Sequence, residues 1–227
     1  TGLTALGALG ALRPTWGHTT DAALATATPA FPPLSAEFAA QVHPSLDIPP
    51  AEQAGYADRL QVALEHVGTV LASAQFVLLI DRSPRVQAAL LYWGSSTQGW
   101  HWVGAAPVST GRPGTFEHFE TPLGVFDHHL GNPDFRAEGT KNERGFRGYG
   151  RKGMRVYDLG WIWAQRGWGA RTMGWMRLQV HATDPELGEP FLGSTRSAGC
   201  VRIPATLNDF LDRHAVLDAD YKRAVAQ

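Results

Sequence analysis

The apolar residues of this chain change their period near residue 75, and that change constrains the fold to a helix followed by a run of strands. Tyr56, Leu60, Leu64, Val67 and Leu71 recur at three- or four-residue spacing, which places them on one face of a helix. Beyond them Phe76 to Asp81, Arg85 to Trp93 and Trp100 to Val108 are β-rich runs. They are separated by Asp-Arg-Ser-Pro and Gly-Ser-Ser-Thr-Gln-Gly, both of which are turn sequences. The expectation is a β-meander. Further strands are expected near Gly124 to Phe126, Met154 to Trp163 and Met176 to Ala182. Leu207, Phe210, Leu211 and His214 return to helical spacing, with Pro204 suited to the first turn. The fold class is therefore mainly β with accessory helices.

Three regions follow from these patterns. Residues 1–50 are rich in Ala, Thr and Pro, and Pro29, Pro32, Pro33, Pro44, Pro49 and Pro50 interrupt any period, so this stretch reads as an extended, flexible arm. Residues 51–73 form a helix that braces the remainder, and residues 74–227 form the main domain. Leu3 to Leu12 is a small apolar stretch without a basic flank; it reads equally as the remnant of an export signal or as a trimmed boundary. No apolar run approaches the roughly 20 residues that cross a bilayer.

Charge and cysteine usage narrow the functional classes. Twenty Lys and Arg against 21 Asp and Glu give a net charge of -1, which removes the electrostatic case for binding nucleic acid or an anionic membrane. Cys200 is the single cysteine, so neither an intramolecular disulfide nor a multi-cysteine metal site can form. An isolated cysteine is usually a small buried hydrophobe, and only its neighbours can overturn that reading.

Those neighbours do carry a chemistry. In Met176-Arg177-Leu178-Gln179-Val180-His181 apolar and polar residues alternate, so His181 shares a strand face with Arg177 and Gln179. Ser197-Ala198-Gly199-Cys200-Val201-Arg202 follows. Gly199 permits close backbone approach, peptide N–H groups near Cys200 can stabilise an oxyanion, and Arg202 can engage a carboxylate. A free thiol titrates at about 8.5 and is mostly protonated at neutral pH, so an imidazole within reach is what makes it a competent nucleophile.

The segment from His181 to Arg202 resembles the signature of the L,D-transpeptidase catalytic domain, the YkuD-like family, in which an upstream His precedes a Ser/Thr-His-Gly-Cys element. Val108-Ser109-Thr110-Gly111-Arg112-Pro113-Gly114 and Thr121-Pro122-Leu123-Gly124-Val125-Phe126 are similar to a characteristic strand and loop of that family, and the resemblance covers residues 76–216. It implies a mixed-sheet β-sandwich with an N-terminal helical extension. It also implies a cysteine acyltransferase that crosslinks peptidoglycan stem peptides through a thioester. Cys200 would be the nucleophile, His181 the base, Ala182 the carbonyl that orients the imidazole, and Gly199 with Cys200 the oxyanion donors. Ser197, Ala198 and Arg202 would line the acyl pocket. The implied partners are donor and acceptor stem peptides; no cofactor or metal is called for, a monomer is expected, and the location is the periplasm or envelope of a bacterium.

Two departures from the family pattern bear on specificity. Ala198 stands where the family has a second His. A Trp- and Arg-rich stretch separates the two motif blocks, and its Tyr149 and Trp163 either line a substrate lid or belong to an elaborated core. The family's usual product is a 3-3 crosslink; a 1-3 link from L-alanine to diaminopimelate stays open. The alternatives are an L,D-carboxypeptidase or endopeptidase and a noncatalytic peptidoglycan-binding module. A papain-like protease has its cysteine before its histidine, the reverse of this order. His128-His129 lacks zinc-ligand spacing, and Glu117 with Glu120 reads as solvated charge.

Overall fold

A computed structural model describes residues 34–226. Two helices lead, α1 (Leu34–Gln41) and α2 (Pro50–His66), and the meander follows as β1 (Gln75–Asp81), β2 (Ala88–Ser95) and β3 (Gly99–Pro107). Its three strands are antiparallel in the order β1-β2-β3. β2 is buried on both faces: Leu90 and Tyr92 pack against Tyr56, Leu60 and Leu64 of α2, whereas Ala89 and Leu91 face the opposite way. Double burial explains why β2 reads as a nearly continuous apolar run. α2 is pinned by two hydrogen bonds: the Tyr56 hydroxyl donates to Asp81 (2.8 Å), and the Tyr92 hydroxyl donates to the Gln53 carbonyl (2.7 Å).

The second sheet has four strands, β4 (Phe135–Arg136), β5 (Arg155–Gln165), β6 (Met173–Ala182) and β7 (Val201–Ile203), in that order. β5 and β6 pair antiparallel, whereas β6 and β7 pair parallel, so the sheet is mixed. Tyr157, Val180, Val201 and Ile203 of this sheet share a core with Ala89, Leu91 and Val103 of the meander. α3 (Ala205–Arg213) closes the same core with Leu207, Phe210 and Leu211, and α4 (Ala219–Val225) ends the described chain. The described residues thus form a mixed α/β arrangement of two sheets and four α-helices. None of the described helices is long and apolar enough to cross a membrane.

Several expectations are corrected. Of the arm assigned to residues 1–50, residues 1–33 lie outside the described residues, but α1 makes the later part structured. Phe38 and Val42 are buried in the main core, and Phe38 meets Phe210 edge-on with ring centroids 5.2 Å apart. Leu34, Phe38 and Val42 form a four-residue repeat, and this apolar stripe outweighs the flanking prolines. The bracing helix stops at His66: Gly68 is left-handed (φ 68°), which ends the helix, and Val67 is exposed. Leu71 still packs on the same cluster from beyond the helix. Gly124 to Phe126 is not a strand; Gly124 has φ 153° and Val125 leans on the α2 cluster from a loop. β2 begins at Ala88 rather than Arg85 because the chain still turns at Gln87, where φ is 51°.

Gln87 also links the meander to the rest of the domain. It is fully buried, its Nε2 donates to Thr110 Oγ1 (2.8 Å), and its Oε1 accepts from the Thr110 N–H (2.8 Å). The chain leaving β3 is thereby steered alongside the segment that precedes β7.

Phe38→Ala should cost about 3–5 kcal/mol in chemical unfolding, the range for truncating a buried aromatic. A loss under about 1 kcal/mol would mean that α1 contributes nothing to the core.

Candidate active site

Residues 197–200 form a loop whose shape is fixed by hydrogen bonds to its own backbone and to the 109–121 segment. Ser197 is fully buried; its hydroxyl donates to the Cys200 carbonyl (2.5 Å) and accepts from the Gly199 N–H (3.1 Å). The Thr121 hydroxyl donates to the Gly199 carbonyl (2.7 Å) and accepts from the Gly111 N–H (2.9 Å). Phe119 N–H donates to the Ala198 carbonyl (3.0 Å), and Ser109 and Arg202 exchange two backbone bonds of 2.9 Å each. Gly199 sits at φ 133°, and a Cβ there would meet Met176 Cε at 2.8 Å, so only glycine fits.

The β6–β7 register then brings the side chains together. His181 pairs with Arg202, so the two lie side by side on one face of the sheet, and Cys200 sits just ahead of β7. The thiol donates weakly to the Arg177 carbonyl (3.5 Å) and lies 4.0 Å from Gln179 Oε1. Tyr149 closes the group: its hydroxyl donates to Gln179 Oε1 (3.1 Å) and its ring is 4.7 Å from the His181 ring. Asp158, buried on β5, accepts from Arg177 Nε (2.7 Å), Gln179 Nε2 (3.1 Å) and the Gly160 N–H (2.9 Å).

His181 is buried, and its Nδ1 is bonded to the Ala182 carbonyl at 2.8 Å. A carbonyl can only accept, so Nδ1 carries the proton and Nε2 keeps its lone pair. Burial, with a smaller push from the Arg202 charge, pulls the imidazole down to about 4, against the upward pull of the Ala182 bond. The Cys200 thiol is pushed up, chiefly by burial and also by Asp158, and Arg202 opposes the shift. At neutral pH both groups are therefore uncharged. The sulfur and the imidazole share no hydrogen bond in this resting arrangement, so proton transfer requires the thiol to leave the Arg177 carbonyl.

Beside this group lies a cavity of about 290 Å³ lined by Ser109, Arg112, Phe146, Arg196 and Arg202 among others. The Arg202 guanidinium sits over the Phe146 ring (5.7 Å) and donates through Nη1 to the Arg196 carbonyl (3.4 Å), while its Nε is buried without a partner. Burial lowers the Arg202 pKa. A desolvated guanidinium with a free donor, flanked by two further arginines, is suited to a carboxylate.

The residues singled out from the sequence divide into two sets. Cys200, His181, Ala182, Gly199, Arg202 and Tyr149 belong to one site. Ser197, placed in the acyl pocket by the resemblance, is fully buried and its hydroxyl is spent on the loop. The Gly199 amide is likewise engaged with Ser197, so of the two amides assigned to an oxyanion hole it is already paired within the loop. Ala198 is exposed at the loop surface. Trp163 lies on the same sheet face but further along, paired with Trp175. Sequence reasoning missed Asp158, whose signal was a lone acid inside the apolar run Val156-Tyr157-Asp158-Leu159, and it missed Arg112 and Arg196 of the cavity.

The other candidates have structural roles. His128 Nε2 bonds Asp134 (2.8 Å) and its Nδ1 bonds the Leu217 carbonyl (2.9 Å). Glu120 pairs with Arg82 (3.3 Å) and Arg171. Among the described residues no group of three or more His, Cys, Asp or Glu is placed to hold a metal. Compared with known proteins, the chain matches no family model and no curated protein.

Two measurements test the electrostatics. Because the thiol is raised, iodoacetamide alkylation of Cys200 should accelerate steadily toward and beyond pH 9; a rate plateau below pH 7 would instead reveal a thiolate–imidazolium pair. Because the folded His181 titrates below its unfolded value, the unfolded chain binds the extra proton between pH 6.5 and about 4. Stability should fall across that window by up to about 3 kcal/mol more in the parent than in His181→Gln. Parallel pH profiles for the two would contradict the assignment.

Proposed function

We propose that this domain is an L,D-transpeptidase of the YkuD-like kind that acts on peptidoglycan stem peptides. The observation that carries the reading is the grouping of the one thiol with His181 and with the arginine-lined cavity at Arg202. A thiol, a neutral imidazole and a carboxylate-binding cation are what acyl transfer between anionic peptides calls for.

In the proposed reaction the Cys200 sulfur attacks the carbonyl carbon of an amide joining an L-centre to a D-centre. His181 Nε2 takes the thiol proton, and the Cys200 N–H donates to the oxyanion. The C–N bond breaks, the imidazole returns its proton to the departing amine, and a thioester remains on Cys200. An amine of a neighbouring stem, such as that of diaminopimelate, then attacks the thioester and loses its proton to His181. The C–S bond breaks and the thiol is restored. Water in place of the amine gives hydrolysis. Arg202 and the cavity hold a carboxylate of the peptide, which fixes the reacting carbonyl relative to the sulfur. Ala198, lacking a side chain that could crowd the thiol, leaves space for a donor other than the usual one.

The reading is tested on diaminopimelate-containing sacculi treated with parent or Cys200→Ala protein, then digested and resolved by mass. The parent should generate a new crosslinked dimer whose fragment mass distinguishes a 3-3 from a 1-3 link, and Cys200→Ala none. Trimmed monomers without dimers would replace transfer by hydrolysis, and an unchanged digest would overturn the reading. A carbapenem should add covalently to the parent and not to Cys200→Ala in intact-mass spectra.

A further inference from the structure

The outer face of the second sheet does not end at the thiol. Alternate residues of β6, from Met173 through Trp175, Arg177 and Gln179 to His181, lie on that face, and the β5 register sets Trp163 opposite Trp175 and Trp161 opposite Arg177. The three tryptophans are 61%, 52% and 62% exposed at Trp161, Trp163 and Trp175, whereas Ala164, Met176 and Leu178 on the other side form a buried cluster. Trp163 and Trp175 meet edge-on with centroids 5.1 Å apart, and the Arg177 guanidinium stands 6.0 Å from the Trp161 ring.

Three large indoles held open to water on a strand face need an occupant, since a contiguous exposed apolar patch of this kind marks a binding surface. The patch is an open row of indoles, and polar groups of Gln165 and Arg177 on the same face border it. Such a surface suits a chain of pyranose rings, whose C–H faces stack on indoles while their hydroxyl and acetamido groups reach polar neighbours.

Its distance from the thiol supports the same occupant. Arg177, whose carbonyl touches the sulfur, is two residues from Trp175 along β6, a separation of about 7 Å. Two to three residues of extended peptide span roughly 7–10 Å. A stem peptide whose backbone carbonyl lies at Cys200 is therefore long enough to bring its sugar-linked end over the tryptophans.

We infer that Trp161, Trp163 and Trp175 form a glycan-strand subsite that holds the N-acetylated hexosamine chain from which the reacting stem peptide hangs. The inference rests on the proposed peptidoglycan substrate. It adds that the domain recognises the polysaccharide itself, independently of the peptide.

The test uses the Cys200→Ala protein, so that binding is read without turnover, and peptide-free glycan strands released from sacculi as the probe. Binding followed by tryptophan fluorescence should weaken roughly five- to thirtyfold in Trp163→Ala and in Trp175→Ala. Trp163→Phe, which keeps an aromatic plate, should lose about threefold or less. Because these side chains are exposed, thermal unfolding should match the parent and confirm the fold. Strands that fail to bind the Cys200→Ala protein, or that bind the alanine variants equally well, would overturn the inference. So would anionic phospholipid vesicles binding through these tryptophans while the strands do not. A crosslinked dimer in the sacculus assay alongside any of these negative results would leave the transpeptidase reading intact and remove the glycan subsite alone.

Discussion

The parallel pairing of β6 with β7 is the constraint on which the candidate site depends. That pairing puts Arg202 beside His181, and it forces residues 183–200 to leave β6 and return to the same end of the sheet. The return ends in a loop so tight that glycine is required at 199 and the Ser197 hydroxyl is spent on bracing it. Thr121 and Phe119 then clamp the loop from outside, and Gln87 anchors that clamp to the meander. Removing any one of these bonds leaves a buried polar group unpaired, which costs more than the bond contributes.

Asp158 organises the neighbouring positions in a comparable way. Its carboxylate is buried and would be costly alone, but it is satisfied by Arg177, Gln179 and the Gly160 amide. Gln179 is thereby held with its carbonyl oxygen toward both Tyr149 and the thiol, the only polar orientation in which one side chain serves all three. The same carboxylate is one of the influences raising the thiol. A charge that aligns these side chains therefore also helps keep the Cys200 thiol protonated at rest.

The meander, β5, β6 and the helix after Cys200 are legible in the period of the apolar residues, whereas the grouping of His181 with Cys200 and Arg202 comes from the resemblance of one segment to a family signature. What was not legible was which way small polar groups point. Ser197 carries a hydroxyl next to the thiol in sequence, yet the loop turns it inward; only the backbone angle at Gly199 decides this. Asp158 was absorbed into a strand because its partners come from β6, on the far side of a bend whose register shift no local pattern announces. α1 was hidden by its prolines, although Leu34, Phe38 and Val42 already spelled a single stripe. The exposed tryptophans carried a signal that composition alone could not resolve, since eight indoles in a chain of this size serve a core as readily as a surface.

The resting charges point to how the proposed chemistry proceeds. A preformed thiolate–imidazolium pair needs the imidazole above the thiol in basicity, and burial moves the two in the opposite directions: the imidazole falls to about 4 and the thiol rises. Arg202 lowers both groups, favouring the thiolate while disfavouring the imidazolium. A substrate carboxylate seated against Arg202 neutralises that influence, which strengthens the base and weakens the acid together. The acyl donor therefore cannot create an ion pair by binding. In the proposed reaction it makes His181 the better proton acceptor at the moment of attack, so that S–H cleavage accompanies C–S bond formation and the thiol and imidazole stay uncharged until a peptide is seated.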